Sequence, residues 1–524
     1  MEKYGSTLKR CRWKLTGVFF IIWAYGAVYC LKPLESLDEL WMYNIAQEAA
    51  KGGVPYQDFS VIVTPVSFLV SGLLLRIFGY ELLYLRILGA MVYAGICFLF
   101  FLILRLEIKK KGMPVIFTGM FCIAYGCEYT YDYNWLTLLE VMLLIYLQLR
   151  RLENPKTSGL KTIQLRRLEN PEVSGLKTVQ LRGLELLRLC YRGKRHKGYL
   201  SSFGIGILGG MAFLTKQSTG LCVVSAVLVI AFMDSRKRRE KGYIYTLAGS
   251  ILVSGFCFLW LAVTGAGEEF RAYCFGGLGS FSGKNRVGLW EFVQRGGIFA
   301  ALELGVIGIV TATALYRAYR NPSKRRSFLL MLSYAFSAGI VVYPIMDDAH
   351  FQVALVPFLV MGAILLSDIC REVSRREAAA AALALTGLAI AVPVLHLQEE
   401  NVHWSELEHF RGIRVNVEVE ERVKTVAAYI GEEDSYIIDA SAALYHIPMG
   451  VYHKNYDMFN NGNFGMASSL DLVNQLRGRE GWILILKEEY SLNWQTPVEA
   501  VQFIREHYTR VDEVSCFDVY RADL

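Results

Sequence analysis

The sequence predicts a polytopic α-helical membrane protein of about eleven transmembrane helices, followed by a small α/β domain outside the membrane. Three observations predict it. Of the 524 residues, 54% are hydrophobic, and a mean hydropathy of +0.32 leaves several uninterrupted apolar stretches after any soluble core is accounted for. The 55 Lys and Arg residues fall in short clusters between those stretches, as topology-setting loops require. The charge balance also changes sign along the chain: residues 1–395 carry +18, whereas residues 396–524 carry 11 basic and 22 acidic groups, a net −11.

The first helix follows Lys3, Lys9, Arg10, Arg12 and Lys14 and runs from about Leu15 to Leu31. It lacks a small-residue cleavage site and is read as a span with a cytoplasmic N-terminus. Further basic clusters lie at Arg105–Lys111, Arg150–Lys197, Arg236–Lys241, Arg317–Arg326 and Arg371–Arg376; with the N-terminus they hold 35 of the 55 basic residues. If all are cytoplasmic, an even number of crossings separates each neighbouring pair. Parity therefore excludes one of the three apolar stretches 15–31, 61–79 and 85–104. The middle one, with Thr64-Pro65 and Arg76, is expected to be an outer juxtamembrane or re-entrant helix. Parity also splits Phe203–Met233 into a short hairpin with Lys216-Gln217 at its tip, each arm about 22 Å long. The remaining spans are 114–127, 135–149, 244–264, 297–316, 327–343, 353–369 and 378–395. The outer segments are then 32–84, 128–134, 265–296, 344–352 and everything after His396.

Between Gln148 and Val179 a 16-residue unit, QLRRLENPKTSGLKTI, is repeated as QLRRLENPEVSGLKTV. Two copies are too few and too short for a solenoid, so 148–199 is read as a duplicated cytoplasmic loop. In 396–524, Val423–Ile430 and Pro497–His507 read as helices; Ser435–Asp439, Trp482–Leu486 and Val514–Tyr520 read as strands. Six histidines there show no metal-ligand spacing,. The eleven cysteines contain no CxxC pair and five lie inside apolar stretches, which excludes a disulfide scaffold and a zinc ribbon. The absence of an extended basic face excludes nucleic acid as a partner.

Polar groups at the outer ends of the helices are the candidates for chemistry, because they are costly there. Ser36-Leu37-Asp38-Glu39-Leu40-Trp41 opens an amphipathic helix. Its acids suit a capping box and the helix dipole, and Asp38 equally suits a general base. Both readings stay open on the residues alone. Asp132, Tyr133 and Asn134 precede the fourth span, where aromatic rings next to an acid and an amide suit a sugar; interfacial anchoring is the alternative. Lys216 at the hairpin tip is either a snorkelling lysine or a ligand for a lipid phosphate, and Arg271, Lys284 and Arg286 add positive charge in a Gly-rich outer loop. Asp347, Asp348 and His350 lie between two late spans; Asp347 and Asp348 offer further polar groups for sugar or acceptor on the same face, and as paired carboxylates give weak support for a divalent cation.

The stretch LDELWMYNIAQEAAKGGVPYQDFSVIVTPVSFLVSGLLLRIFG resembles the first outer loop of the GT-C glycosyltransferases, more narrowly the bacterial relatives of dolichyl-phosphate-mannose protein mannosyltransferases and of the lipid A aminoarabinose transferase. GGMAFLTKQSTG resembles their Thr-Lys element, and YPIMDDAHFQVALVPFLV their late outer loop. The resemblance implies inverting transfer of a sugar from a polyprenyl-phosphate donor to an extracytoplasmic glycan, lipid or protein acceptor at the cell membrane. It makes Asp38 the base, Glu39 its supporting partner, and Lys216 and His350 donor-phosphate contacts. The chain departs from the pattern at Asn134, where some relatives have an acid. A transporter or flippase of lipid-linked glycans is the alternative, but the apolar segments do not repeat between halves as such proteins commonly do. A non-catalytic sensor would need fewer helices.

Overall fold

The computed structural model describes residues 16–34, 37–110, 112–125, 131–153, 198–238, 241–277, 287–370, scattered positions from 374 to 388, 401–439, 441–451, 469–490 and 496–521. Ten expected spans coincide with helices: α1 (Thr16–Val28), α4 (Leu82–Glu107), α5 (Met113–Tyr125), α6 (Tyr133–Glu153), α7 (Gly198–Thr215), α8 (Gln217–Arg238), α9 (Gly242–Val263), α11 (Leu289–Arg320), α12 (Arg325–Gly339) and α13 (Asp348–Ile369). Among the described residues, seven helices are long and apolar enough to cross a membrane. The last expected span, 378–395, lies largely outside the described residues. So does the tandem repeat, except that Gln148–Glu153 forms the final turns of α6.

Between α1 and α4 stand two shorter helices, α2 (Leu37–Lys51) and α3 (Val66–Phe78). The 13 residues of α3 cover about 20 Å at 1.5 Å per residue,, a length that α1 and α5 share, so its two unlike faces rather than its length set it apart. One face of α3 packs on α2 through Phe68, Ser71, Gly72 and Leu75. The opposite face leaves Leu69, Leu73, Ile77 and Phe78 exposed, as suits a helix lying at a membrane surface. A Cβ on Gly72 would stand 2.9 Å from Ala49 Cβ and 3.1 Å from the Ala46 carbonyl, so only glycine permits this crossing.

Helices α7 and α8 form the expected hairpin, broken at Lys216 alone. Their antiparallel packing places Gly209 against Val227. At the tip, a Cβ on Gly220 would meet the Ala212 oxygen and Phe213 Cα at 2.2 Å. The tip is tied to the 54–66 loop by Thr64, whose hydroxyl donates to the Phe213 carbonyl at 2.9 Å. Gln217 Nε2 donates to the carbonyls of Ile62 (2.7 Å) and Cys274 (2.9 Å). Around these bonds Tyr56, Phe59, Phe68, Leu214, Phe270 and Tyr273 form a separate apolar cluster. The loop 54–66 is thereby packed onto the hairpin tip and the short helix α10 (Gly267–Arg271) with the turn that follows it.

The C-terminal region is an α/β unit, as expected. Strands β3 (Ser435–Ile438), β4 (Trp482–Leu486), β5 (Thr509–Val514) and β6 (Phe517–Arg521) form a sheet of order β3-β4-β6-β5, with only the β3-β4 pair parallel. Where alternation over Val514–Tyr520 predicts one strand, the structure has a hairpin. The chain reverses at Ser515, which takes φ 54°, a left-handed turn in a residue that gives no glycine or asparagine signal. Two further strands, β1 (Val402–Trp404) and β2 (Arg414–Asn416), pair antiparallel and dock the unit onto the membrane body. The Leu34 amide donates to the Arg414 carbonyl (2.8 Å) and the Leu82 amide to the His409 carbonyl (2.8 Å). His409 Nδ1 donates to the Tyr80 carbonyl at 2.7 Å. The apolar core runs unbroken from α4 and α6 through Leu407, Phe410, Ile413 and Val415 into this domain.

Candidate active site

The candidate residues come from four segments, each held by a local bond. Asp38 lies in the first turn of α2. Its neighbour Glu39 is buried, and Arg86 of α4 grips it in bidentate fashion, Nε to Oε1 at 2.7 Å and the second guanidinium nitrogen to Oε2 at 2.9 Å. Arg86 also donates to the carbonyls of Cys30 (2.9 Å), Lys32 (2.5 Å) and Pro33 (3.3 Å). One guanidinium thus joins the end of the first helix, the start of α2 and the start of α4. This commitment turns Glu39 away from proton chemistry and toward holding the segment that presents Asp38. Arg86 was absent from the sequence-based candidates, although an arginine at the start of an apolar 26-residue helix is itself a functional signal.

The second segment is the start of α6. Asp132 accepts from the Trp135 amide (2.8 Å) and from Asn134 Nδ2 (3.3 Å), so it caps the helix in the usual way for Asp. Asn134 is buried, and its Oδ1 accepts from Lys216 Nζ at 2.6 Å. The Lys216 ammonium also lies over the Tyr133 ring, 5.2 Å from its centroid, a cation–π distance. The lysine is therefore held by neutral groups, and burial pushes it down to about 8 against the opposing charges of Asp132 and Asp347. In the fourth segment Asp347 caps α13, accepting from the His350 amide (2.8 Å) and pairing with His350 Nδ1 (2.7 Å).

Electrostatics show that these segments converge. Asp38 is exposed to solvent yet closely surrounded by protein, so it lies in a concavity. Loss of solvation pushes it up to about 6, with Asp132 and Asp347 adding to the rise and His350 opposing it. Asp132 is raised, chiefly by burial, against its Trp135 bond and the charges of Lys216 and His350. Burial also acts to raise Asp347, but the His350 bond and charge, with Lys216, outweigh it and hold the group below its usual range. Asp38, Asp132, Asp347, Lys216, His350 and Tyr133 therefore form one field on one face.

Other candidates stand apart. Asp348 is exposed next to Asp347. Arg271 is exposed at the end of α10 and is not among the charges acting on Asp38, Asp132 or Asp347. Arg286 and Lys284 lie outside the described residues. Among the described residues, no three His, Cys, Asp or Glu side chains are placed to hold a metal ion.

No protein-family model matches the chain, nor does any curated protein sequence. Solved structures do. ArnT from Cupriavidus metallidurans in the apo state superposes with a TM-score of 0.51 at 12% identity, covering 98% of each chain. The chain has the GT-C fold. At that identity the likeness is one of fold. The same ArnT bound to undecaprenyl phosphate matches with a TM-score of 0.49 at 12% identity over 97% of both chains. An oligosaccharyltransferase from Archaeoglobus fulgidus, in complex with Zn and sulfate, matches with a TM-score of 0.47 at 14% identity. That match covers 96% of this chain and 73% of the other. Within the GT-C fold of this chain, the convergent residues are contributed by α2, α6, the α7–α8 hairpin and α13.

Proposed function

We propose that the chain is an integral membrane glycosyltransferase that moves a sugar from a polyprenyl-phosphate donor to an extracytoplasmic acceptor, with inversion at the anomeric carbon. One observation carries the reading: a solvent-reachable carboxylate, Asp38, lies in the field of His350, Asp132 and Asp347, and the last two also feel Lys216. Single displacement at an anomeric carbon needs a base on the acceptor hydroxyl and positive charge on the departing phosphate. Asp38, up to about 6, is mostly ionised at neutral pH and basic enough to accept a proton as the acceptor oxygen attacks. In this reading Lys216 and His350 take the charge of the leaving phosphate. Asn134 and Tyr133 hold the lysine without neutralising it. Charge near an apolar boundary acts through a lower dielectric than in water, so one lysine and one imidazole contribute strongly there.

In this reading Glu39 and Arg86 position the base, Asp132 and Asp347 set the field around it, and Asp348 and Arg271 are peripheral acceptor or donor contacts. The N-terminus is cytoplasmic and the C-terminal domain faces outward. The test is sugar transfer by the purified full chain from undecaprenyl-phosphate sugars, comparing wild type, Asp38→Asn and Lys216→Ala. Near-complete loss of kcat in the first and a raised donor KM in the second are expected. Full activity in Asp38→Asn removes the base assignment.

A further inference from the structure

Seven residues inside α6, below the cluster, Glu140 is buried at 5% exposure in a stretch expected to cross the membrane. Its Oε1 lies 3.0 Å from Thr215 Oγ1, while its Oε2 is buried without a partner. The same Thr215 hydroxyl lies 3.0 Å from the Met211 carbonyl oxygen. A threonine hydroxyl has one proton to donate and two lone pairs to receive. Two acceptors face it, so one proton cannot serve both. If Glu140 carries a proton, the count closes: Glu140 donates to Thr215, and Thr215 donates to Met211. If Glu140 is ionised, one contact sets lone pairs against each other. A full charge then sits among apolar helices, and no cation is within ion-pair distance among the described residues, an arrangement of high cost.

The consequence reaches the cluster through the chain. Thr215 ends α7 and Lys216 is the next residue. Thr215 is fixed to α6 at Glu140, and the Lys216 side chain reaches along α6 to Asn134, six residues or about 9 Å nearer the helix start. Two rungs from adjacent residues of the hairpin therefore pin its tip to one helix. We propose that Glu140 is kept as a neutral acid and acts as a positioning residue, locking the hairpin tip so that the Lys216 ammonium is presented to the phosphate of a polyprenyl-phosphate lipid. This rests on the reading of Lys216 as a phosphate ligand.

The test uses the full chain in lipid nanodiscs with undecaprenyl phosphate as the probe, and the variants Glu140→Gln, Glu140→Leu, Thr215→Val and Lys216→Ala. An amide donates to Thr215 as the acid does, so Glu140→Gln retains binding within about twofold. Glu140→Leu and Thr215→Val lose the rung and weaken binding about tenfold, the scale of one lost hydrogen bond, and raise donor KM more than they lower kcat. Thr215→Val carries the comparison if Glu140→Leu does not fold. At neutral pH, difference infrared spectroscopy of wild type against Glu140→Gln shows the carbonyl stretch of a protonated carboxylic acid, lost in the variant. Glu140→Gln as weak as Glu140→Leu, unchanged binding in both apolar variants, or no acid band overturns the proposal. If wild type does not bind the lipid at all, the functional reading fails, and the infrared band alone still decides the state of Glu140.

Discussion

Removing Arg86 tests the anchoring of the proposed base most directly. All of its hydrogen-bonding nitrogens are engaged, with two bonds to Glu39 and three to the Cys30, Lys32 and Pro33 carbonyls. The ion pair is almost dry, with side-chain exposures of 3% and 6%. Arg86→Leu takes from the buried Glu39 carboxylate its ion-pair partner, a loss of about 3–5 kcal/mol. Glu39→Leu leaves the guanidinium its three carbonyls and costs less. In the double variant Arg86→Leu/Glu39→Leu the buried charge is gone, so the loss falls to the three abandoned carbonyls, about 1 kcal/mol each. The double variant is therefore more stable than Arg86→Leu alone. Denaturation of the detergent-solubilised chain, followed by tryptophan fluorescence, reads the cycle. Transfer activity stays low in the double variant, because the first turn of α2 has lost its tie to α4. A double variant no more stable than Arg86→Leu, or one with wild-type kcat, refutes the reasoning.

The remaining predictions concern the same face. Transfer rises with pH through about 6 as Asp38 ionises. Asp132→Asn keeps the cap but removes a like charge, so the limb of the kcat/KM profile moves to lower pH; a limb that stays in place excludes Asp132 as a contributor. Asn134→Asp turns the neutral partner of Lys216 into a counter-ion and raises donor KM by about an order of magnitude, measured by steady-state transfer, while an unchanged KM shows that the lysine charge is not used. Gly220→Leu cannot fit against Ala212 and Phe213, so the hairpin opens and the folded yield drops on size-exclusion chromatography.

Much of the fold was legible in the sequence. Hydropathy located the helices, because each apolar stretch must satisfy its own backbone in lipid. Charge parity divided Phe203–Met233 and set the 61–79 stretch apart, and the structure has a hairpin broken at Lys216 and a 13-residue helix there. Asp38, Asp132, Lys216 and His350 were readable as costly groups at helix ends. Less was legible where the partner lies far along the chain. Glu39 fits a capping box by spacing, yet its carboxylate is taken by Arg86, 47 positions away, and no local pattern encodes that choice. Glu140 and Thr215 are 75 positions apart, and the turn at Ser515 gave no local sign. The sequence by itself determined that the chain is a membrane-embedded helical body with an acidic α/β appendage, because hydropathy and charge act residue by residue. Only the tertiary structure decided which polar groups face one another, because burial makes each find a partner wherever the packing of helices provides one.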